Sequence, residues 1–316
     1  MTPTVRLITD RDVDFDKYLA APPEAAKVKP ASHWCEAVID AYYGETVSRG
    51  SYLPWLKTHD HVRLRPGEFS IWAGTNGHGK SMLLNLVVLS LLAQSETVCI
   101  ASLEMKPVRT LERMARQFVG VQEPSPEYIR KFHAWAAKGL WLYDQIGTVK
   151  HDRMIALARY CIAELGINHF VIDSLMKCGI ATDDYNLQKR FVDELSTLAK
   201  DTNTHIHLVA HSRKSDSENT LIDKFGVKGS GDITDMADNV FIIWRNKRKE
   251  IAESTEEISP DLEAMPDTLL LVDKQRNGEW VGKIALWNQR QAFQFLPAPS
   301  AMKFNDEHWM QCRFMS

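Results

Sequence analysis

Short apolar runs alternate with longer amphipathic stretches along most of the chain. Short runs bounded by Gly, Pro, Asp or Ser are typical of buried strands, whereas longer stretches with a helical apolar repeat predict helices. The pattern predicts strands at 68–73, 97–102, 140–143, 169–173, 205–210, 239–244, 268–272, 283–287 and 292–296. It predicts helices at 81–93, 107–119, 125–139, 152–165 and 187–200. This alternation predicts an α/β fold with a mostly parallel central sheet flanked by helices.

The chain ahead of this core has a different pattern. Residues 1–30 are acidic and then rich in Ala and Pro, which predicts irregular structure. A helix is predicted from residue 32 to about 45, because Trp34, Val38 and Tyr42 form an apolar stripe at helical spacing. The stripe either folds back on its own domain, which is the default, or docks on a neighbouring subunit.

The pattern divides the chain into a core and two flanking segments. We predict an N-terminal helical arm at 1–50, a core domain at 51–298 and a C-terminal tail at 299–316. Within the core, residues 246–267 are charged and contain Pro, which predicts a mobile surface insertion.

Composition narrows the class of protein without identifying it. Apolar residues make up 44% of the 316 and charged residues 25%, which is ordinary for a soluble globular protein. The net charge of −3 means that any contact with nucleic acid must use a local basic strip. No apolar stretch is long enough to span a bilayer, and no signal peptide is visible, so we expect no membrane contact. The cysteines form no C-x-x-C pair, which argues against a zinc ribbon, and their scattered positions suit a reducing cytosol. They are Cys35, Cys99, Cys161, Cys178 and Cys312.

Residues 74–81 read GTNGHGKS, a complete G-x-x-x-x-G-K-S phosphate-binding loop between a predicted strand and a predicted helix. Glycines let successive backbone N–H groups turn inward to cradle an anion. A Lys supplies charge to the β- and γ-phosphates and a Ser hydroxyl ligates Mg²⁺, so we predict binding of ATP or another NTP or dNTP with Mg²⁺. An ordinary Gly-rich turn is the alternative. The predicted nucleotide-binding residues are Gly74, Asn76, Gly77, His78, Gly79, Lys80 and Ser81.

Three polar residues end predicted strands and complete a candidate hydrolytic site. Asp173 ends an apolar strand and, with Ser81, is the predicted metal-side ligand. The next residue is Ser174 rather than the Glu that many ATPases use to activate water, so the base must come from elsewhere. Glu104 is the candidate, because strand ends on one edge of a parallel sheet converge on one crevice. Its alternative role is to cap the following helix. His211 ends another strand, where it is placed to touch the γ-phosphate; a buried core histidine is the alternative.

Lys274 and Arg276 follow the strand at 268–272 and would point to the same side of an extended segment. Such a pair is suited to reach another subunit's phosphates and stabilise transition-state charge. A solvated hairpin turn at Asn277–Gly278 is the alternative, and both descriptions can hold together.

Cations also cluster in the polar segments that follow Asp173 and His211. Loops at this end of a sheet often contact ligands, and cations with Gly-rich backbone suit phosphate tracking along single-stranded DNA. Interleaved acidic residues weaken this signal. The predicted DNA-binding residues are Lys177, Lys189, Arg190, Arg213, Lys214, Lys228, Gly229, Ser230 and Gly231.

Six segments together resemble DnaB-type replicative helicases, most of all the helicase half of Twinkle and of phage primase–helicases. They occur in the family's order over about residues 50–298: GTNGHGKS (74–81), SLEM (102–105), FVIDSL (170–175), VAHSRK (209–214), KGSGDITDMADN (228–239) and DKQRNG (273–278). The resemblance implies a RecA-like P-loop NTPase core that assembles as a hexameric ring and moves 5′→3′ on single-stranded DNA. Nucleotide would lie at subunit interfaces, and a phage or prophage origin is implied.

The resemblance also assigns roles. It implies Glu104 as catalytic base, Asp173 as metal-side carboxylate, His211 as phosphate sensor, and Lys274 with Arg276 as fingers that act in trans. The helix near 32–45 corresponds in position to a linker helix that latches onto the adjacent subunit. Residues 1–50 show no pattern of a zinc-binding or primase domain, so primase activity is not inferred, and we expect a separate primase or loader as partner.

The leading hypothesis is therefore a hexameric, Mg²⁺-dependent, ATP-dependent DNA helicase. A recombination-type ATPase that coats single-stranded DNA as a filament without unwinding is the second. A non-catalytic nucleotide-binding assembly module is the third.

Overall fold

A computed structural model describes residues 6–19, 31–43, 50–181, 183–212 and 231–311. Its described part is built on a ten-stranded sheet. The strands are β1 (Arg6–Ile8), β2 (Phe69–Ala73), β3 (Val98–Ser102), β4 (Leu140–Tyr143), β5 (His169–Asp173), β6 (His205–Val209), β7 (Asn239–Arg245), β8 (Thr268–Gln275), β9 (Gly282–Gln289) and β10 (Gln294–Leu296). The helices are α1 (Phe15–Leu19), α2 (Cys35–Tyr43), α3 (Lys80–Ala93), α4 (Pro107–Val119), α5 (Pro126–Ala136), α6 (His151–Leu165), α7 (Tyr185–Thr202), α8 (Gly231–Met236), α9 (Lys247–Ser254), α10 (Pro260–Ala264) and α11 (Asp306–Met310).

The strand order is β1-β4-β3-β5-β6-β2-β7-β8-β9-β10. Pairing is parallel from β1 to β7 and antiparallel from β7 to β10. Two buried apolar layers cover the two faces of the sheet, with α3 in one layer and α6 and α7 in the other. The predicted α/β fold with a mostly parallel central sheet is confirmed, because buried strands and helices of this length carry strong apolar patterns.

The prediction of irregular structure at the N-terminus is wrong within the described residues. β1 pairs parallel with β4, and α1 packs on α6. Lys17 forms an ion pair with Glu164 at 2.9 Å, and Arg159 Nη1 donates to the Tyr18 carbonyl at 3.0 Å. Elements this short have no periodicity to read, and tertiary contacts hold them in place.

The predicted helix of the arm is present as α2, preceded by one 3₁₀ turn at Ala31–Trp34. Four of its apolar side chains lie on the surface of the described structure. Val38, Ile39, Tyr42 and Tyr43 are 52%, 44%, 72% and 84% exposed. This face is therefore available to a partner surface.

The segment at 246–267, which we predicted as a mobile insertion, contains α9 and α10. Its anchor is Lys249, whose ammonium group is buried. Lys249 Nζ pairs with Asp267 at 2.8 Å and donates to the carbonyls of Glu263 and Met265 at 2.9 and 2.7 Å. The segment is thus a folded pair of short helices tied to the base of β8. Among the described residues, none of the helices has the length and apolar content needed to cross a bilayer.

A buried ladder of three histidines lies at the amino ends of β5 and β6. Trp72 Nε1 donates to His207 Nδ1 at 3.1 Å, so neutral His207 carries its proton on Nε2. That nitrogen lies 3.1 Å from His169 Nδ1, which must therefore accept. His205 Nδ1 lies 2.6 Å from the Arg65 carbonyl, while its Nε2 lies 2.7 Å from the Ser70 hydroxyl. These partners fix a neutral tautomer for each ring.

We expect this ladder to make the fold sensitive to mild acid. Burial lowers the pKa of all three histidines below the ordinary value of 6.5. Below about pH 6.5 the unfolded chain then binds more protons than the folded one, so the free energy of unfolding falls as pH falls and is unaffected above that value. The slope is up to about 1.4 kcal/mol per pH unit for each histidine. Urea unfolding between pH 7.5 and pH 5.5 measures it.

A matched pair of variants isolates the contribution of the ladder. His207→Gln keeps an acceptor and a donor for the neighbouring groups but removes one titrating ring. The slope of the unfolding free energy against pH should therefore fall by about the contribution of one bound proton. Gln122→Ala, which removes an exposed side chain that does not titrate, should leave the slope unchanged. Glu96, whose carboxylate lies 3.9 Å from His169, has a pKa raised by its own burial and offsets part of the effect. The charged groups around His205 are Arg65, Glu68 and Asp238, and they remain in both variants. A slope that does not differ between the two variants would contradict the assignment.

Candidate functional site: a nucleotide cavity at the carboxyl ends of the parallel strands

The phosphate-binding loop connects β2 to α3 at the carboxyl edge of the sheet. Gly74 and Gly79 have φ of 155° and 87°. A Cβ on Gly74 would lie 2.4 Å from the Ile243 carbonyl oxygen, so a side chain cannot fit where the loop crosses β7. α3 begins at Lys80 and directs its N-terminus to the loop, where unpaired N–H groups favour an anion.

Lys80 is held inside the loop. Its Nζ donates to the carbonyls of Gly74 at 2.9 Å and Thr75 at 3.1 Å, and the residue is 6% exposed. Burial lowers the pKa of Lys80 to about 8, and the charges of Asp173 and Glu104 act in the opposite direction. The ammonium group is therefore a desolvated donor, and phosphate oxygens can replace the two carbonyls as its hydrogen-bond acceptors.

A cavity of about 890 Å³ opens beside the loop. Its wall contains Lys80, Ser81, Glu104, Asp173 and His211. The structure thus brings together the loop and the three strand-end residues that we predicted from separate parts of the sequence. The convergence follows from parallel pairing of β3, β5, β6 and β2, since all four end on the same edge.

The oxygen atoms at the base of the cavity fit a hard divalent cation. The Ser81 side chain hydrogen-bonds to the Asp173 carboxylate. Asp173 is 6% exposed, and its backbone pairs in register with Ser102 of β3. Burial raises the pKa of Asp173, while the Ser81 hydrogen bond lowers it. A buried carboxylate next to a hydroxyl, with no nitrogen or sulfur donor among them, is the ligand set that Mg²⁺ prefers.

Glu104 and His211 lie on either side of Ser174, the residue after Asp173. Ser174 Oγ donates to Glu104 Oε1 at 2.8 Å and lies 3.5 Å from His211 Nε2. His211 Nε2 and Glu104 Oε1 are 3.8 Å apart. The peptide bond between Asp173 and Ser174 is cis. Glu104 lines the cavity instead of capping α4, whose N-cap residue Lys106 makes no side-chain capping bond.

The cavity also contains residues that the sequence did not reveal. Arg113 comes from α4, Arg245 from the end of β7, and Phe293 from the turn before β10. Arg245 Nη2 pairs with Glu250 of α9 at 2.9 Å, so the insertion at 246–267 forms part of this wall indirectly. The one available signal was that Arg113 lies on a strongly amphipathic helix directly after Glu104.

The predicted role of His78 changes with its position. Its side chain is 2% exposed, and its Nδ1 accepts a hydrogen bond from the Arg245 backbone at 3.3 Å. The ring thus ties the loop to β7, and the cavity wall is formed by its neighbours Gly77 and Gly79.

Lys274 and Arg276 lie apart from this cavity. Lys274 Nζ donates to the Thr234 and Asp235 carbonyls at 3.1 and 2.6 Å, at the C-terminal end of α8. Arg276 pairs with Asp238 at 3.2 Å, and its side chain is 44% exposed. Both cations reach the same carbonyl, because Arg276 Nη2 donates to Asp235 at 3.3 Å as Lys274 Nζ does, and neither lines the cavity of its own chain.

The predicted DNA-binding residues are only partly described. Arg213, Lys214, Lys228, Gly229 and Ser230 lie outside the described residues, and Gly231 is the first residue of α8. Lys189 and Arg190 are exposed on α7. Lys177 lines the cavity, where it is placed for a phosphate contact, and its contact with DNA remains a prediction.

Known proteins share this architecture. Residues 60–296 match the family model of the DnaB-like helicase C-terminal domain. An ATPase domain of known structure superposes with a TM-score of 0.67 at 15% sequence identity, covering 85% of this chain and 99% of that one. A DnaB-like replicative helicase, solved for its interactions with primase, superposes with a TM-score of 0.66 at 12% identity, covering 86% of this chain and 69% of that one. These two likenesses establish the RecA-like fold, and the family match covers most of the sequence. The chain belongs to the family of DnaB-like helicase C-terminal domains.

Proposed function

We propose that this protein is a replicative DNA helicase that forms a homohexameric ring and uses nucleotide hydrolysis to move 5′→3′ along single-stranded DNA. One observation carries the proposal. The cavity at 74–81 gathers a phosphate loop, a metal-side carboxylate, a base and a histidine, while the two cations suited to transition-state charge lie outside it. Lys274 and Arg276 can then act on bound nucleotide only in the site of a second copy of the chain.

The residues divide the hydrolysis reaction among them. Backbone N–H groups of the loop and Lys80 bind the β- and γ-phosphates of ATP or another NTP or dNTP. Ser81 and Asp173 would hold Mg²⁺, which supplies neutralisation of phosphate charge when it is bound. Glu104 polarises a water molecule toward the γ-phosphate. His211, beside Glu104, contacts the same phosphate and registers its departure.

Assembly is supported by the exposed face of α2. Its four exposed apolar side chains need a partner surface, and a neighbouring copy would place the arm of one subunit on the core of the next. Single-stranded DNA would then pass the segments after Asp173 and His211, where the predicted DNA-binding cations lie. The helicase that superposes here was solved for its interactions with primase, so we propose a separate primase, or a loader, as a further partner.

Unwinding of forked DNA tests the proposal against its rivals. We expect strand displacement with ATP and Mg²⁺ on a fork with a 5′ single-stranded tail, and none on a fork with only a 3′ tail. Electron microscopy with a non-hydrolysable nucleotide and single-stranded DNA should show six-membered rings. Lys80→Ala, which cannot hold the phosphates, is the negative control.

The other outcomes each select a different function. DNA-stimulated hydrolysis with filaments and no strand displacement would indicate a recombination-type ATPase. Nucleotide binding without DNA-stimulated hydrolysis would indicate a non-catalytic assembly module.

A further inference from the structure

Ser174 lies between the proposed base and the proposed sensor because of the strand order. β5 pairs with β3 on one side and with β6 on the other. Glu104 follows β3 and His211 follows β6. A residue directly after β5 must therefore lie between them, and Ser174 occupies that position.

The hydrogen-bond geometry gives this serine a direction. Its hydroxyl has one proton, and the nearer acceptor is Glu104 Oε1 at 2.8 Å, against 3.5 Å to His211 Nε2. The proton goes to the carboxylate, because a hydrogen bond to a charged acceptor is the stronger one. The oxygen lone pairs are then available to a proton on His211 Nε2. For the 3.5 Å contact to be a hydrogen bond, His211 must donate from Nε2, which makes the order of donation His211 to Ser174 to Glu104.

Ser174 is more rigid than the glutamate that it contacts. Ser174 is fully buried, and its carbonyl accepts from Lys177 N at 2.9 Å and from Cys178 Sγ at 3.7 Å. The Glu104 side chain is 40% exposed. A half-exposed glutamate samples many rotamers unless a fixed partner selects one, and ordering it has an entropic cost. The buried hydroxyl is that fixed partner.

We infer that Ser174 is a positioning residue for nucleotide hydrolysis, whose hydroxyl orients Glu104 toward the cavity and links it to His211. A displacement of His211 on phosphate release would then reach the base through one hydroxyl group. A carboxylate at position 174 would instead repel Glu104. The inference rests on the proposed function, since only a hydrolase uses Glu104 as a base.

Substitutions of Ser174 separate hydrogen bonding from packing. In Ser174→Ala, kcat for DNA-stimulated hydrolysis should fall at least about tenfold, the usual effect of losing a hydrogen bond to a charged group. The dissociation constant for nucleotide should stay within about twofold, because the hydroxyl hydrogen-bonds to Glu104 and His211 and not to the loop at 74–81. Ser174→Cys keeps the shape of the side chain with a slightly larger volume but offers only a weak donor, so it should resemble Ser174→Ala. A cysteine variant with wild-type kcat would overturn the inference in favour of packing.

Two controls complete the experiment. Ser102→Ala removes another buried hydroxyl, at the end of the adjacent strand β3, whose Oγ has no hydrogen-bond partner in the described part of the chain. Its kcat should match the wild type. The Ser174→Ala/His211→Ala double variant should be little slower than His211→Ala alone, because both changes break one linked set. If the fold-loss of kcat in the double variant equals the product of the losses in the two single variants, the link to His211 is overturned.

The failure of the proposed function gives a different result. If the wild-type protein shows no DNA-stimulated hydrolysis, or if Glu104→Gln hydrolyses normally, the proposed function and the inference both fail. If the wild type hydrolyses, Glu104→Gln does not, and Ser174→Ala keeps wild-type kcat, then only the inference is overturned.

Discussion

The Arg276→Ala variant should lose about 10³- to 10⁵-fold in DNA-stimulated hydrolysis while it retains most of its affinity for nucleotide, the range found when an arginine finger is removed. Arg276 lies outside the cavity of its own chain, and its side chain is 44% exposed. It can therefore stabilise transition-state charge only in the site of a neighbouring subunit. Steady-state hydrolysis with single-stranded DNA and equilibrium binding of a fluorescent nucleotide measure the two quantities separately.

Arg276 also has a structural partner, so the loss must be separated from unfolding. Arg276 pairs with the buried carboxylate of Asp238 at 3.2 Å. Arg290→Ala is a matched control, because it removes a similarly exposed arginine from its ion pair with Glu253. That variant should hydrolyse at the wild-type rate. Normal turnover in Arg276→Ala would rule out the trans-acting role.

The Lys80→Ala variant should have no measurable hydrolysis. Lys80 Nζ is the buried cation of the loop and donates to two backbone carbonyls. We expect it to donate to phosphate oxygens instead when nucleotide binds. Burial already disfavours the charged form, so the free energy of unfolding should not fall when the ammonium group is removed. Thermal unfolding and hydrolysis assays on the same preparation test both statements. Lys200→Ala, on the exposed end of α7, should behave as the wild type.

Mixing these two inactive variants tests the shared site directly. An interface is complete when it combines the loop of an Arg276→Ala subunit with the finger of a Lys80→Ala subunit. In an equimolar random ring, about a quarter of the interfaces meet this condition. Hydrolysis up to about a quarter of the wild-type rate is expected on mixing. No recovery, in a mixture shown to form rings, would contradict a site built from two subunits.

Much of the site could be predicted from the sequence because its parts follow regular elements. The loop at 74–81 has a fixed spacing of Gly, Lys and Ser that its chemistry requires. Asp173 ends a buried apolar strand, Glu104 and His211 each follow one by two residues, and parallel strands end on one edge of a sheet. The convergence of distant residues was therefore a consequence of the predicted fold. The trans-acting roles and the DNA contacts remain predictions.

Other features depended on contacts between residues that are far apart in the sequence. β1 and α1 are too short for periodicity to reveal them, and they exist because β4 and α6 hold them. Arg113 and Arg245 resemble any surface arginine until the helix and strand that carry them are packed against the loop. The histidine ladder appears only when β2, β5 and β6 are aligned in register.

Ser174 shows the division most clearly. By itself, the sequence determined that the base could not follow Asp173 directly, and it determined which strand-end glutamate was available. Only the tertiary structure decided that the serine lies between Glu104 and His211, at 2.8 and 3.5 Å. The physical reason is that hydrophobic periodicity specifies which residues are strands, whereas the order of strands in a sheet is set by how buried helices pack across its two faces.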